Sequence, residues 1–349
     1  MAELRQILDL WKRASAAGEE ICLATVVGIE GSAYRRPGAR MLMTAGGERA
    51  GTVSGGCLEA EIVKKAWWLT EKGPSIQRYS SFFGDDGDLP YGLGCGGTVI
   101  ILLERGEAAA QCLAALRRSA EERTASVIVS GTGLDGAGTR LIANAGGAIV
   151  YAREAEPELE RLALEALERR ASRPAGEFFV ERVGAPPALT IFGAGDDARP
   201  LVEFAAALGW HVTVADGRAN LARGERFPQA ARVSGLEAAL AALTSDDATV
   251  VMTHSYEQDR QILRGLLTRE LKYIGTLGPR ARTERLVQEV VGELGLETEA
   301  CLARLHSPVG LDLGGHAPES IALSIAAELQ AVFAGRGAKK LSGVPAVHA

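Results

Sequence analysis

The sequence predicts an α/β protein of two domains, an N-terminal mixed α+β domain followed by a C-terminal Rossmann-type domain on a parallel sheet. Three observations predict it. From Leu189 onward, strand-like apolar runs alternate with helix-like ones: Leu189–Phe192, a helix to Leu208, His211–Ala215, Thr249–Met252, a helix at Gln258–Arg269, Tyr273–Gly275 and a helix at Arg280–Leu294. The first run leads straight into Gly193-Ala194-Gly195-Asp196-Asp197-Ala198, the G-x-G-x-x-A spacing of a phosphate-holding turn. A chain of 349 residues, 47% hydrophobic and 23% charged, also holds enough apolar material for two cores.

The N-terminal half reads differently. Residues 1–18 have the pattern of an amphipathic helix, and Ile21–Gly28 that of a buried strand. A loop from Glu30 to Gly38 leads to a hairpin of Arg40–Thr44 and Arg49–Val53 turned by Ala45-Gly46-Gly47. A helix follows from Leu58 to about Lys72, with Ile62, Ala66, Trp67 and Leu69 on its apolar side. The strand Thr98–Leu103, a helix near Glu107–Glu122, the strand Ala125–Ser130 and a glycine-punctuated hairpin to Tyr151 complete the first domain, residues 1–153. Residues 154–187 read as a connector, with a charged helical stretch at Glu154–Arg170 and the rigid break Ala185-Pro186-Pro187. The Rossmann-type domain is placed at 188–335, with a last helix from Pro318 to Phe333 and a tail at 336–349 predicted to be disordered.

Charge and cysteine usage exclude several classes. The net charge of −6 and the absence of a Lys/Arg block argue against nucleic acid as a partner. No stretch of 18 uncharged apolar residues is present to span a membrane, and the N-terminus lacks a signal-peptide pattern. Five scattered cysteines with no C-x-x-C fit neither a disulfide framework nor a zinc ribbon. No His or Cys spacing suggests a metal site, and the expectation is a reduced, cytoplasmic protein.

Two regions carry candidate chemistry. In the C-terminal turn, Gly193 permits the tight bend, Gly195 lets a pyrophosphate approach the backbone, and Ala198 lets the helix pack on its strand. Asp216, eighteen residues after Ala198, stands where a ribose-binding acid belongs, and the nearby Arg218 leaves NAD against NADP open. Asp196 and Asp197 bring negative charge to the phosphate position. A Rossmann fold that has lost its nucleotide is the bland alternative. His254 and His306 read as structural, or as contacts at the mouth of the sheet.

In the N-terminal half, Ser54-Gly55-Gly56-Cys57-Leu58-Glu59 sets a thiol at a helix start, where the dipole lowers a cysteine pKa and attracts anions. Gly94-Cys95-Gly96-Gly97 sets a second thiol in a loop nearly free of side chains. Arg35, Arg36 and Arg40 lie upstream as candidate phosphate contacts. Either cysteine alone reads as a small core residue. Two of them, each flanked by paired glycines, favour a shared ligand site with Cys57 and Cys95 as its reactive groups. Cys22, Cys112 and Cys301 read as core.

These motifs carry a resemblance. Gly51-Thr52-Val53-Ser54-Gly55-Gly56-Cys57-Leu58-Glu59, the Gly94–Gly97 loop, the Phe192–Ala198 turn, Tyr273-Ile274-Gly275-Thr276-Leu277-Gly278 and the run Pro308–Ala322 occur in that order. Together they resemble the xanthine dehydrogenase accessory factor family, XdhC/CoxI, over nearly the whole chain, roughly from Gln6 to Val332. The resemblance implies a dimeric cytoplasmic maturation factor that binds molybdenum cofactor (molybdopterin). It also implies help with sulfuration alongside a cysteine desulfurase, and delivery of the cofactor to a xanthine dehydrogenase-type molybdoenzyme subunit. Cys57 matches the cysteine that the family uses in cofactor binding. Many members carry histidine where this chain has Asp196, so nucleotide chemistry is not carried over with the fold. The chemistry suits the residues, since an anionic pterin phosphate matches arginines and helix N-termini, and a thiolate matches a soft centre. In bacteria the cofactor can carry a nucleotide, which offers the Rossmann half another occupant beside NAD(P).

The expectation is therefore a cofactor-insertion chaperone more than a catalyst, with Arg35, Arg36, Ser54, Gly55, Gly56, Cys57, Glu59 and Gly96 at the cofactor. Gly193, Gly195, Asp196, Ala198, Asp216 and Arg218 are assigned to the nucleotide-type site. Two alternatives stand beside it: an NAD(P)-dependent oxidoreductase, and a thiol-based sulfur-transfer or redox protein using Cys57 and Cys95.

Overall fold

A computed structural model describes residues 2–56, 58–80, 89–90, 97–133, 136–340 and 342. The chain divides into two compact units, Glu3–Pro186 and the part from Pro187 onward.

The N-terminal unit runs α1 (Ala2–Ala17), β1 (Ile21–Gly31), β2 (Arg40–Thr44), β3 (Arg49–Gly51), α2 (Glu59–Leu69), β4 (Ser75–Ser80), β5 (Leu89–Pro90), β6 (Gly97–Arg105) and α3 (Gly106–Glu121). It continues with β7 (Ser126–Gly131), β8 (Arg140–Asn144), β9 (Ile149–Arg153), α4 (Pro157–Arg169), β10 (Arg173–Ala175) and β11 (Phe178–Val183). Two sheets result, in the orders β3-β2-β1-β6-β4-β5 and β10-β11-β7-β8-β9, antiparallel throughout except for β4 with β5. Strand β1 shows how the layers form. Cys22, Ala24 and Val26 face the core that holds Leu58, Ile62 and Ala66 near and within α2. Leu23, one residue out of phase, faces the core shared by α1, α3 and the second sheet. A strand covered on both faces has no polar positions to alternate with.

The stretch 154–187, expected as a connector, is part of this unit. Leu159, Leu162, Ala163 and Ala166 of α4 pack on Val127, Val129, Leu141 and Val180, and β11 pairs with β7 from Phe178↔Gly131 to Val183↔Ser126. Glu181 and Arg182 disguise β11 in the sequence, and Glu181 turns inward because buried Arg40 of β2 pairs with it. Arg40 is thereby committed to the fold and is not a phosphate contact. A second enclosed pair, Arg140–Glu104 at 2.7 Å, joins β8 of one sheet to β6 of the other.

The second unit runs β12 (Ala188–Phe192), α5 (Ala198–Ala207), β13 (His211–Ala215), β14 (Arg232–Ser234), α6 (Leu236–Ala241), β15 (Ala248–Val251) and α7 (Tyr256–Leu267). It ends with β16 (Tyr273–Thr276), α8 (Arg280–Leu294), α9 (Thr298–Ala303), β17 (Leu305–His306) and α10 (Pro318–Phe333). All six strands are parallel, in the order β14-β13-β12-β15-β16-β17. This is the doubly wound Rossmann order, with the switch point between β12 and β15. Leu189, Ile191, Val250 and Met252 pack under α5 and α10, while Phe192 and Val251 face α6 and α7. The short elements β14, α6, α9 and β17 are below the length at which periodicity marks a segment. Part of the tail at 336–349 lies outside the described residues. Among the described residues no helix is long and apolar enough to cross a membrane.

Candidate functional site

In the N-terminal unit the chain leaves β3 through Thr52-Val53-Ser54-Gly55-Gly56 and enters α2 at Glu59. Strand pairing stops at Gly51, not at Val53 as expected, because the next amides bond to side chains instead. Thr52 N–H donates to Glu3 Oε1 at 2.8 Å. Val53 and Ser54 N–H donate to Glu59 Oε1 at 3.1 and 2.9 Å, and Ser54 Oγ donates to Glu59 Oε2 at 2.6 Å. Ser54 Oγ in turn accepts from the amides of Gly56 and Leu58, both at 3.1 Å. Glu59 is 2% exposed. Burial alone would raise its carboxyl, but the hydrogen bonds from Ser54 more than offset this and hold it below the ordinary carboxylate range. Glu59, expected as a cofactor contact, is therefore the brace of the turn. Two amides at the helix start, expected to be free for a phosphate, are taken by Ser54.

The loop between β1 and β2 lies against this turn. The Tyr34 ring comes within 3.6 Å of where a Cβ on Gly55 would stand, and Tyr34 is 75% exposed. The end of β1 and the first residue of that loop meet the second glycine segment, where Gly31 pairs with Gly97 and a Cβ on Gly97 would collide with the carbonyl oxygens of Glu30 and Ser32. Glu3 ties the assembly by accepting from both Thr52 and Arg35, so Arg35 is engaged. Arg36 is exposed, and its side chain makes no hydrogen bond or ion pair among the described residues. Gly56 has φ +112, and among the described residues nothing lies within 4 Å of a would-be Cβ. Cys57, Gly94, Cys95 and Gly96 lie outside the described residues, and with them the thiol-pair alternative. The other cysteines, Cys22, Cys112 and Cys301, are buried and free. Burial pushes the Cys22 thiol up to about 12.

In the second unit Gly193 (φ +133) brings β12 against β15 so closely that a Cβ would strike the carbonyl oxygen of Met252. Ala198, the first residue of α5, is fully buried. Asp216 ends β13 as expected, yet its side chain is enclosed and both oxygens are occupied. Ala194 N–H and Arg218 Nη2 donate to Oδ2 at 2.8 and 2.7 Å, and Arg218 N–H and Nε donate to Oδ1 at 2.9 Å each. Burial opposes ionisation of Asp216, and the Arg218 hydrogen bonds outweigh it and hold the carboxyl low. The ribose-binding role expected of Asp216 finds no free acceptor here. Asp196 pairs with Arg226 at 2.7 Å. The Asp197 carboxylate shares a 2.6 Å hydrogen bond with His254 Nε2 and lies where a Cβ on Gly195 would be.

Three groupings escaped the sequence. His254, in the left-handed region at φ +59 just past β15, is the partner of Asp197. Glu328 of α10 accepts from Tyr273 Oη at 2.7 Å and from Gly310 N–H at 2.6 Å, and shares a 2.6 Å contact with His306 Nδ1, anchoring the run after β17. A cleft of about 590 Å³ opens at the carboxyl ends of β13 and β14. The only signal for the pairs was the presence of complementary groups far apart in sequence, which does not specify who meets whom.

Among known protein families, residues 14–80 match the XdhC and CoxI family and residues 189–329 the XdhC Rossmann domain. A Bacillus subtilis protein named as a probable subunit of xanthine dehydrogenase is 31% identical over 330 residues, 89% of this chain and 92% of that one. "Molybdenum cofactor insertion chaperone PaoD" of Escherichia coli is 25% identical over 339 residues, 94% of this chain and 88% of its own. A crystal structure described as a xanthine dehydrogenase from Bacillus halodurans superposes with a TM-score of 0.77 at 30% identity, covering 97% of this chain and 98% of that one. The chain belongs to the XdhC and CoxI family.

Proposed function

We propose that this protein is a maturation factor that binds molybdenum cofactor as cargo, assists its sulfuration and inserts it into a xanthine dehydrogenase-type enzyme. The observation that carries this reading is similarity along nearly the full chain to a protein named as a molybdenum cofactor insertion chaperone. In the same reading a cysteine desulfurase supplies the sulfur, the factor works as a homodimer, and its compartment is the cytoplasm.

The residues around the Ser54–Gly56 turn fit such a cargo. The turn is held by a buried carboxylate, and among the described residues the Tyr34 ring is the side chain that lies against Gly55. A flat pterin is met by an exposed aromatic face, and a phosphate by the unengaged Arg36. Gly55 lies against Tyr34, and Gly97 against Glu30 and Ser32, so both glycine segments meet the stretch 30–34. In this reading the Cys57 thiol, next in sequence after Gly56, is the group assigned to the soft centre of the cargo. Delivery needs a hold that is released on contact with the recipient, and a rim of solvent-facing groups serves this better than a closed cavity.

The test is retention. Purified protein is incubated with molybdenum cofactor and passed over a sizing column, and co-eluting molybdenum is measured for wild type, Cys57→Ala and Arg36→Ala. Near-stoichiometric molybdenum on wild type, at least tenfold less on Cys57→Ala and a partial loss on Arg36→Ala are expected. Absence of molybdenum from the wild-type peak overturns the proposal.

A further inference from the structure

Helix α2 starts at Glu59, whose carboxylate holds the Ser54–Gly56 turn. Its inner face packs on the first sheet through Ile62 and Ala66. Ala60, Lys64 and Trp68, spaced four apart, form the opposite stripe, and all three are exposed. Trp68 is the anomaly on it. Neighbouring residues of a helix point about 100° apart, so only one of the adjacent pair Trp67 and Trp68 can lean on the core. Trp67 does so, with the Arg105 guanidinium 5.4 Å from its ring centroid and donating to Thr70 O at 3.1 Å. The Trp68 indole is left 72% exposed, with no hydrogen bond or ring contact among the described residues.

Nothing in the fold calls for an aromatic at position 68. Scattered exposed aliphatics are ordinary on a surface, but tryptophan is the side chain that contributes most when a partner covers it. The charges around it say which kind of partner. Glu61 is taken by Lys65, and Glu20 by Arg105. Lys64, one turn before Trp68, and Lys72, in the turn that ends the helix, make no ion pair among the described residues, against one free carboxylate, Glu71. This face carries a basic surplus on a chain whose net charge is −6. An acidic surface is its complement.

We infer that the outer stripe of α2 docks an acidic protein face that has an apolar slot for the Trp68 indole, and that this face belongs to the enzyme receiving the cargo. Lys64 and Lys72 pair with carboxylates around the slot, and Trp67, already fixed by Arg105, supports the contact from the side. Position fits the role. Trp68 lies about 14 Å along the helix from Glu59, and a standard interface of about 800 Å² per partner spans both, so a partner seated on the stripe stands beside the turn. The choice of the recipient as occupant rests on the cofactor-carrier reading, whereas the acidic chemistry of the partner does not.

Isothermal titration of the full-length protein with the cofactor-free molybdenum-binding subunit of a xanthine dehydrogenase-type enzyme from the same organism tests it. Trp68→Ala is expected to weaken binding about tenfold or more, the effect of losing one interface anchor. The double reversal Lys64→Glu/Lys72→Glu is expected to weaken it to a similar degree and to remove most of its salt dependence. Arg264→Glu, at an exposed position of α7 without an ion-pair partner among the described residues, is the control and is expected to stay within about twofold of wild type. All these side chains are exposed, so the variants fold. Molybdenum retention by Trp68→Ala is expected to match wild type, which separates docking from holding the cargo. No binding by wild type up to about 100 μM, or undiminished binding by both Trp68→Ala and the double reversal, overturns the docking surface. Binding of a cysteine desulfurase in place of the recipient, or a wild-type dimer that Trp68→Ala dissociates, overturns the choice of occupant. Failure of wild type to retain molybdenum, with recipient binding still lost in Trp68→Ala, overturns the carrier reading and supports the docking surface.

Discussion

Glu59 shows how one residue converts a flexible run into a presented loop. Three donors from Val53 and Ser54 converge on a carboxylate that is 2% exposed. Glu59→Gln keeps the shape but sets an amide NH2 against those donors, and hydrogen bonds to buried charge contribute about 1.5–3 kcal/mol each. A loss of about 2–4 kcal/mol in urea unfolding is expected. A loss under about 0.5 kcal/mol would show that the brace does not hold the turn. Gly193 makes the matching case in the second unit. At φ +133, with Met252 O in the place of a Cβ, Gly193→Ala is expected to cost about 3 kcal/mol or more, read by the same measurement. The role of Gly193 was legible because glycine spacing after an apolar strand implies a geometry. The internal partners of Glu59 and Asp216 were not legible, because a carboxylate at a motif position looks the same in sequence whether it faces a ligand or its own backbone.

At the scale of elements, the long alternating segments were legible and the short or charged ones were not. Periodicity of apolar residues located α1, β1, α8 and α10 within a few residues of where they lie. It failed at β11, where Glu181 breaks the alternation that marks a strand, because its burial is compensated by Arg40 on another strand, 141 residues away in sequence. The Arg140–Glu104 pair is a sharper case, with side chains 2% and 0% exposed and a separation of 2.7 Å between β8 and β6. Three atoms of this pair, Arg140 Nε, Arg140 Nη1 and Glu104 Oε1, have no hydrogen-bond partner among the described residues, so the pair is incompletely compensated. Removing one member strands a buried charge, and Glu104→Gln or Arg140→Met alone is expected to cost about 3–5 kcal/mol. The double variant Glu104→Met/Arg140→Met is expected to cost far less than the two together, or to stabilise. Additive losses in a double-mutant cycle would show that the two groups do not depend on each other.

Across the whole molecule, ionisable groups held away from their ordinary range bound the pH interval in which both units stay folded. On the acid side stand Glu59, Asp216 and Glu328, one in the first unit and two in the second, each low because hydrogen bonds from Ser54, from Arg218, and from His306 and Tyr273 outweigh burial. A group depressed in the folded state contributes stability above its unfolded pKa, near 4 for these carboxyls, and that stability is lost as pH falls through the folded value. On the alkaline side stands Cys22, raised by burial from 9.0 to about 12. Its contribution is complete below pH 9.0 and is lost as pH rises toward about 12, because the unfolded chain gives up the thiol proton first. Urea midpoints are therefore expected to be flat from about pH 5 to 8, to fall below about pH 4.5, and to fall again above about pH 9. Cys22→Ala separates the thiol from other alkaline effects. It lowers the plateau by a small cavity term and makes the descent between about pH 9 and 11 shallower, since the group that drives part of it is gone. An identical alkaline slope in wild type and Cys22→Ala would show that the thiol ionises equally in the folded and unfolded chain, and that β1 is not the dry layer its burial describes.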